Sequence, residues 1–424
     1  MPERWEERWT LPPPMDRGLM RACIGLSGLG AAILLIAVLH DPARAWQIYL
    51  VNFLFWGGLA QGAVVFAAIY HVVEARWGLT IRRLAEGMAA FLPVSFLLFF
   101  PLYPALDLFF GRIQDVNPLR GAWFDPRFIF VRGGLGLGAM TVVSLLFVYY
   151  SLRPEVGAAL ERGLRPRRWL YGVLAQGWQG ERLEIQRSER GMDVLAAGVL
   201  LAYPITYTFM AFDLIMALDP FWYSSLFGVY FFVSSFYLGL AGLTVVVALL
   251  ARRGLPGIAS RQLSDLGKLV FGFTLMYAAM VWSQYIVIWY GNLPEETHFV
   301  VLRLWEHPWA PLSWSALAAV VLAPFVVFLS RRAKENTTIM LSIGLLISAG
   351  LWLERYVLVV PSLWPGDIAP LGWMEIGVTA GFLGAAGWSY GFFFQHFPLL
   401  PLTPSVQAPN PAGAHALEKT SSSA

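Results

Sequence analysis

Cysteine is almost missing from this 424-residue chain: the single one, Cys23, stands at the start of an apolar run. One cysteine excludes an internal disulfide, a four-cysteine iron–sulfur site and a Cys-x-x-Cys-His haem attachment. Histidine is scarce as well. The six, His40, His71, His298, His307, His396 and His415, fall at the ends of apolar runs, in connections or in the tail. A transmembrane haem b needs histidines facing one another inside a bundle, so neither haem nor any other metal is expected in this chain. Charge is thin too, at 13% of residues against 57% hydrophobic, with a mean hydropathy of +0.59. That balance excludes an ordinary soluble globule and gives no reason to expect a nucleic-acid partner.

What the chain has in quantity is apolar runs. About 20 apolar residues at roughly 1.5 Å rise cross about 30 Å of hydrocarbon. On that measure the expected spans are 20–39, 46–70, 84–102, 128–152, 192–217, 226–251, 267–290, 309–330, 337–360 and 372–396. The expected fold class is all-α integral membrane with ten transmembrane helices. It divides into an N-terminal segment 1–19, a membrane domain 20–397 and a tail 398–424. The first nineteen residues are charged and proline-rich (Arg4, Glu6, Glu7, Pro12, Pro13, Pro14) and carry no apolar stretch of the kind a cleavable signal needs. The tail, rich in Pro, Ala and Ser, has little to bury.

Basic residues alternate between connections. The second, fourth, sixth and eighth hold Arg76, Arg82, Arg83, a run from Arg153 to Arg190, Arg252, Arg253, Arg261, Arg331, Arg332 and Lys334, whereas the fifth and ninth hold none. Cytoplasmic connections carry such an excess, so the even connections and both termini are expected in the cytoplasm. The odd connections are built of Trp, Tyr, Pro, Asp and Glu. Asp219 and Trp222 in DPFWYSS (219–225), with Glu295, Glu296 and His298 in NLPEETHF (292–299), read as a periplasmic docking surface. Most tryptophans are accounted for as headgroup anchors. The basic segment ERGLRPRRW (161–169) reads as an interfacial, lipid-facing helix.

Several spans carry ionisable groups, each costing roughly 2.5–3.5 kcal/mol in hydrocarbon, so some use must retain them. In the fifth span Tyr203, Thr206 and Asp213 share one helical face, and Pro204 is expected to kink the helix there. In the seventh, Thr274, Tyr277 and Gln284 share a face. Hydroxyls and amides so placed either hold a chain of waters for proton transfer or only tie helices together. In the ninth span Glu354 and Arg355 are adjacent, leaving the helix about 100° apart. Separate partners are therefore expected for them, Glu375 of the tenth span for one and a group such as Asp213 for the other. Asp125, Arg127 and Arg132 gather near Asp107 at the start of the fourth span. The GGLGLG run there has no preceding strand and reads as close helix packing, not a phosphate loop. On the inner side His71, Glu74 and Glu86 are candidates for a proton entrance.

Three segments, AFDLIMALDPFWYSSLFGVYFF (211–232), SQYIVIWYGNLPEET (283–297) and ERYVLVVPSLW (354–364), resemble the NrfD-like membrane proteins of bacterial respiratory complexes, in particular the F-type membrane component of alternative complex III. The resemblance spans essentially all ten runs but not the tail. It implies two four-helix bundles in the bacterial inner membrane and a quinol:cytochrome c oxidoreductase. The partners it implies are a sister NrfD-like quinol-binding subunit, an iron–sulfur subunit and multihaem cytochrome c subunits, with menaquinol or another quinol, the iron–sulfur clusters and the c-type haems all outside this chain. The motif positions it marks are Asp213, Asp219, Gln284, Tyr285, Glu295, Glu296, Glu354 and Arg355. A proton or charge pathway coupled to quinol oxidation in the sister subunit is the first expectation. The alternatives are a quinol-binding subunit in its own right, a structural scaffold and a secondary transporter with broken helices at Pro93, Pro204 and Pro324.

Overall fold

The computed structural model describes residues 17–75, 77–116, 123–161, 168–255 and 257–399. Most of the segment 1–19, Arg76, Arg120, residues 162–167 of the basic segment and the tail from 400 lie outside the described residues, as do the side chains of Arg112 and Glu295. Every regular element among the described residues is helical.

The first two long helices are α1 (Arg17–His40) and α2 (Pro42–Val72). Asp41 separates them and starts the second, its carboxylate accepting from the Arg44 N–H at 3.2 Å with Pro42 at the first position. A broken stretch follows: α3 (Leu79–Gly87), a 3₁₀ turn, α4 (Leu92–Leu97), a second 3₁₀ segment and α5 (Leu106–Val116). The run 84–102 is thus not the simple span expected of it. Pro93, Pro101 and Pro104 each remove a backbone donor, and the axis turns by 43°.

Next come α6 (Pro126–Glu161), the short α7 (Arg168–Leu174) and α8 (Glu181–Leu214). α6 and α8 extend well beyond the apolar runs that seed them, because an ion pair between Arg153 and Glu184 at 2.6 Å and a Trp178–Glu161 hydrogen bond at 2.7 Å hold their polar ends together. The second half holds α9 (Phe227–Arg252), α10 (Ser260–Gly291), α11 (Pro294–Leu304) and α12 (Trp309–Leu317). A π-turn at Ala318–Leu322 leads into α13 (Ala323–Phe328) and the short α14 (Arg331–Glu335). The last are α15 (Thr337–Leu363) and α16 (Trp373–His396). Asn336 opens α15 by accepting from the Thr338 and Ile339 N–H groups at 2.8 and 3.2 Å.

Among the described residues eight helices are long and apolar enough to cross a membrane, and the bent α3–α5 stretch makes nine. α16 has the length, but its glycines, Trp388, Ser389 and Tyr390 dilute its apolar character, and it is not among them. The helices sort into two groups of four, α2 with the bent stretch, α6 and α8, and α9 with α10, α12–α13 and α15; α1 and α16 pair on the flank of the first. α2 forms the seam and is buried along nearly its whole apolar length, whereas α1 is largely exposed.

The seam closes where α2 and α9 cross backbone to backbone. A Cβ on Gly239 would stand 2.4 Å from the Gly62 carbonyl carbon and 2.5 Å from the Ala63 nitrogen, neither of which can move aside alone. Gly239→Ala is therefore expected to cost about 1–3 kcal/mol, the usual penalty of overpacking. Gly272→Ala on α10, where a Cβ meets nothing within 4 Å, is the matched control. Melting curves of the two variants in mild detergent give the comparison, and equal curves would count against the crossing as described.

Candidate functional site: a buried acid–guanidinium centre

At the heart of the second group, α15 delivers Glu354 and Arg355, with Arg355 wholly enclosed. The two pair with each other, Arg355 Nη1 to Glu354 Oε2 at 2.6 Å, and not with Glu375 or Asp213 as their angular separation led one to expect. The long guanidinium stem sweeps back across the gap, and α9 supplies the rest of the cradle. Arg355 Nη2 donates to Ser234 Oγ at 2.7 Å and to Ser235 Oγ at 3.0 Å, and its plane lies over the Phe231 ring at 4.3 Å. Its Nε has no hydrogen-bond partner among the described residues. The Glu354 carboxylate also accepts from Tyr230 and stands 3.4 Å from the Tyr277 hydroxyl, with the two phenols 3.3 Å apart.

A second polar step lies deeper. Tyr237 meets the Thr274 hydroxyl at 2.7 Å and donates to the Val320 carbonyl at 3.1 Å, inside the π-turn. Pro324, four residues on, has no N–H to offer that carbonyl, so the tyrosine takes the place of the missing donor. Of the seventh-span face, Thr274 and Tyr277 join this seam, while Gln284 lies farther along α10, half-buried. In the first group the rings of Tyr203 and Tyr207 lie 4.6 Å apart, tilted by 45°, and their hydroxyls donate to the carbonyls of Phe232 and Gly57 at 2.7 and 3.0 Å. Thr206, buried beside them, packs against Gly136 of the glycine run.

The other two acids expected to join Glu354 have partners of their own. Asp213 is clasped by both Nε and Nη2 of Arg132, Nε at 2.7 Å, and the guanidinium also donates to the Trp123 carbonyl and lies over the Trp123 ring at 4.3 Å. Glu375 takes a two-pronged bond from Arg44, 2.7 Å at each contact, and accepts the Gly372 N–H at 2.7 Å, which opens α16. All three acids are buried, each with its own guanidinium, in separate places.

At the opposite end, where the arginine-rich connections lie, Glu86 is buried between Arg82 (2.9 Å) and Arg83 (2.8 Å) and accepts from Ser151 at 2.7 Å. Glu155 stands 3.9 Å from Arg83. His71 Nε2 meets the exposed Asp193 carboxylate at 2.8 Å, and its Nδ1 is buried without a partner among the described residues. Glu74 is exposed in the turn after α2, at φ +48°.

The aromatic end holds the residues read as a docking surface. His298 is exposed and Glu296 half-buried, but Asp219 and Trp222 are buried; Phe221 and Tyr223 beside them are presented instead. Trp222 lies flat on Phe299 at 3.7 Å and 7°, and Arg303 covers the Phe299 ring at 3.4 Å. Arg303 is itself buried and among the described residues meets only neutral acceptors: the carbonyls of Val357 (3.0 Å), Phe299 (3.1 Å) and Leu358 (3.2 Å) and the Ser362 hydroxyl (2.7 Å). Burial pushes its guanidinium down to about 9, against the pull of Asp219, which leaves it a cation at neutral pH.

Tyr230, Ser234, Ser235, Tyr237, Arg44 and Arg303 were not singled out from the sequence. Two were findable: a proline inside a helix strips the carbonyl four residues earlier of its donor, and Pro324 and Pro361 thereby ask for the groups that Tyr237 and Arg303 bring.

Among the described residues no group of three or more His, Cys, Asp or Glu side chains is gathered as a metal would require. The family model described as "Polysulphide reductase, NrfD" matches residues 37–364. No curated protein matches the chain.

Proposed function

Because the chain belongs to the NrfD family, whose members are multi-pass membrane subunits of quinol-oxidoreductase-type complexes that partner with iron–sulfur and other redox subunits, we propose that it carries a proton or charge pathway coupled to quinol oxidation in a sister subunit. The Glu354–Arg355 pair is the observation that supports this reading. A carboxylate and a guanidinium shut away from water, with two phenols on the acid and two hydroxyls on the base, form a unit whose net charge changes with a single proton. When Glu354 is ionised the pair is neutral. When it takes a proton, Arg355 is left as an uncompensated cation held by Ser234 and Ser235, so any proton on Glu354 is felt as a charge in the middle of the bundle. The energy scale fits: moving one charge across 100 mV involves about 2.3 kcal/mol, equal to a change of under two units in an acid's proton affinity.

In this proposal the chain is the F-type membrane component of alternative complex III in a bacterial inner membrane. It has ten spans, counting α16 and the bent stretch, and both termini in the cytoplasm. Multihaem cytochrome c and iron–sulfur partners sit at the aromatic end and hold the haems and clusters, and the sister subunit holds menaquinol. Glu86 and His71 open the path from the cytoplasm; Tyr237, Thr274, Tyr277 and Glu354 carry it through the second group. Co-purification in mild detergent tests the partners: multihaem cytochrome c and iron–sulfur proteins support the assignment, and a lone oligomer redirects it to transport. Glu354→Gln, which keeps an acceptor for Arg355, tests the path. The assembled variant complex should retain quinol oxidation in detergent yet release fewer protons per quinol in vesicles. Unchanged proton release would leave the chain a scaffold.

A further inference from the structure

The stack of Trp222, Phe299 and Arg303 converges on the same helix end that carries Glu354. Pro361 lies inside the last turn of α15 and has no N–H, so the Val357 carbonyl, one turn past Glu354, loses its helical donor. Arg303 Nε fills that position at 3.0 Å, while Nη2 reaches the Leu358 carbonyl and the Ser362 hydroxyl. An arginine from another helix thus replaces a backbone hydrogen bond in the element that holds the acid–guanidinium pair. Its own orientation is set by Phe299, on whose ring it lies, and Phe299 in turn lies on Trp222. From Trp222 a second line of contact runs back to the acid. Trp222 meets Phe227 edge-on at 5.0 Å, Phe227 lies along Tyr230 at 5.8 Å, and Tyr230 donates to Glu354. Trp222 and Arg303 are both buried, and among the described residues no carboxylate is paired with the guanidinium.

We infer that Arg303, seated on Phe299 and Trp222, is the positioning residue that sets the proton affinity of Glu354, by holding the proline-weakened end of α15 against α11 so that Tyr230 and Arg355 keep their grip on the carboxylate. The inference rests on the proposed role of Glu354 only for its functional meaning; the geometry stands without it. Removing Arg303 leaves the Val357 carbonyl without a donor and slackens the last turn. Hydrogen bonds to an ionised carboxylate favour its ionised form, so their loosening makes the acid easier to protonate.

The test is an infrared titration of the full-length protein in detergent, following the C=O band of the protonated carboxyl that disappears in Glu354→Gln. Arg303→Met is expected to shift the midpoint of that band by about one pH unit toward higher pH, a tenfold change in proton affinity. Adding Pro361→Ala, which returns an N–H to the Val357 carbonyl, should restore the midpoint. A role limited to stability would lower the melting temperature and leave the midpoint in place. If Arg303→Met does not yield folded protein, Phe299→Leu, which removes the ring under the guanidinium but no hydrogen bond, carries the same expectation of a shift. An unmoved midpoint in a folded variant, or a shift that Pro361→Ala leaves uncorrected, overturns the inference. A shifted midpoint with unchanged proton release in Glu354→Gln would instead keep the positioning role and discard the proton pathway.

Discussion

Arg355→Met is expected to cost the folded chain about 3–5 kcal/mol, the penalty for stranding one partner of a buried ion pair. The wild-type arrangement explains the size. Glu354 is buried, and with Arg355 gone its only donors among the described residues are the phenols of Tyr230 and Tyr277, which solvate a carboxylate but do not neutralise it. Ser234 and Ser235, whose oxygens now accept from the guanidinium, would each lose that donor. Glu354→Gln combined with Arg355→Met removes both charges together and should recover most of the loss, because a buried pair replaced as a unit is often close to neutral. Unfolding of the three variants in detergent, read as a double-mutant cycle, gives the coupling directly. A single-variant loss of about 1 kcal/mol or less, the range of exposed pairs, would mean that water reaches the pair and that the centre is not closed.

The sequence displays the long helices and the acids they bury, because both follow from local facts: an apolar run long enough to span, and a charge that has no business inside it. α1, α2, α9 and α15 begin and end within a few residues of the runs that foretell them. Partners are another matter. Arg44 meets Glu375 across 331 residues and Arg132 meets Asp213 across 81, and no spacing rule within one helix reaches that far. The polar cradle of Arg355 was hidden for a different reason. Ser234 and Ser235 sit in an apolar run between Val233 and Phe236, where small hydroxyls usually mark close helix packing, and Ser235 faces Gly58 for that reason as well. The break in the α3–α5 stretch was legible from three prolines and was outweighed by the hydropathy around them. The buried state of Asp219 and Trp222 had no sequence signal: an aromatic, acidic connection reads the same whether it faces a partner or folds under its neighbours.

The basic end holds a buried acid whose loss is of similar size. Glu86→Gln is expected to cost about 3–5 kcal/mol, since Glu86 lies buried between two guanidiniums that are themselves largely enclosed. The two arginines do not suffer equally. Arg83 keeps Glu155 at 3.9 Å and the Ser151 carbonyl at 3.5 Å, whereas Arg82 retains only the Ser151 hydroxyl and the Met192 sulfur. Adding Arg82→Met to Glu86→Gln should therefore restore more stability than adding Arg83→Met, and the order of the two double variants in a detergent melt checks it. The reverse order would show that Glu155 does not stand in for Glu86. A port for protons makes a further demand, because Gln at position 86 cannot exchange one. If this acid admits protons toward the centre, Glu86→Gln slows proton uptake even in the stabilised double variant, while Glu86→Asp, shorter but ionisable, leaves uptake faster than Gln does. Equal uptake for the amide and the shorter acid would reduce the cluster to a clamp between α3 and α6, with the proton path entering elsewhere.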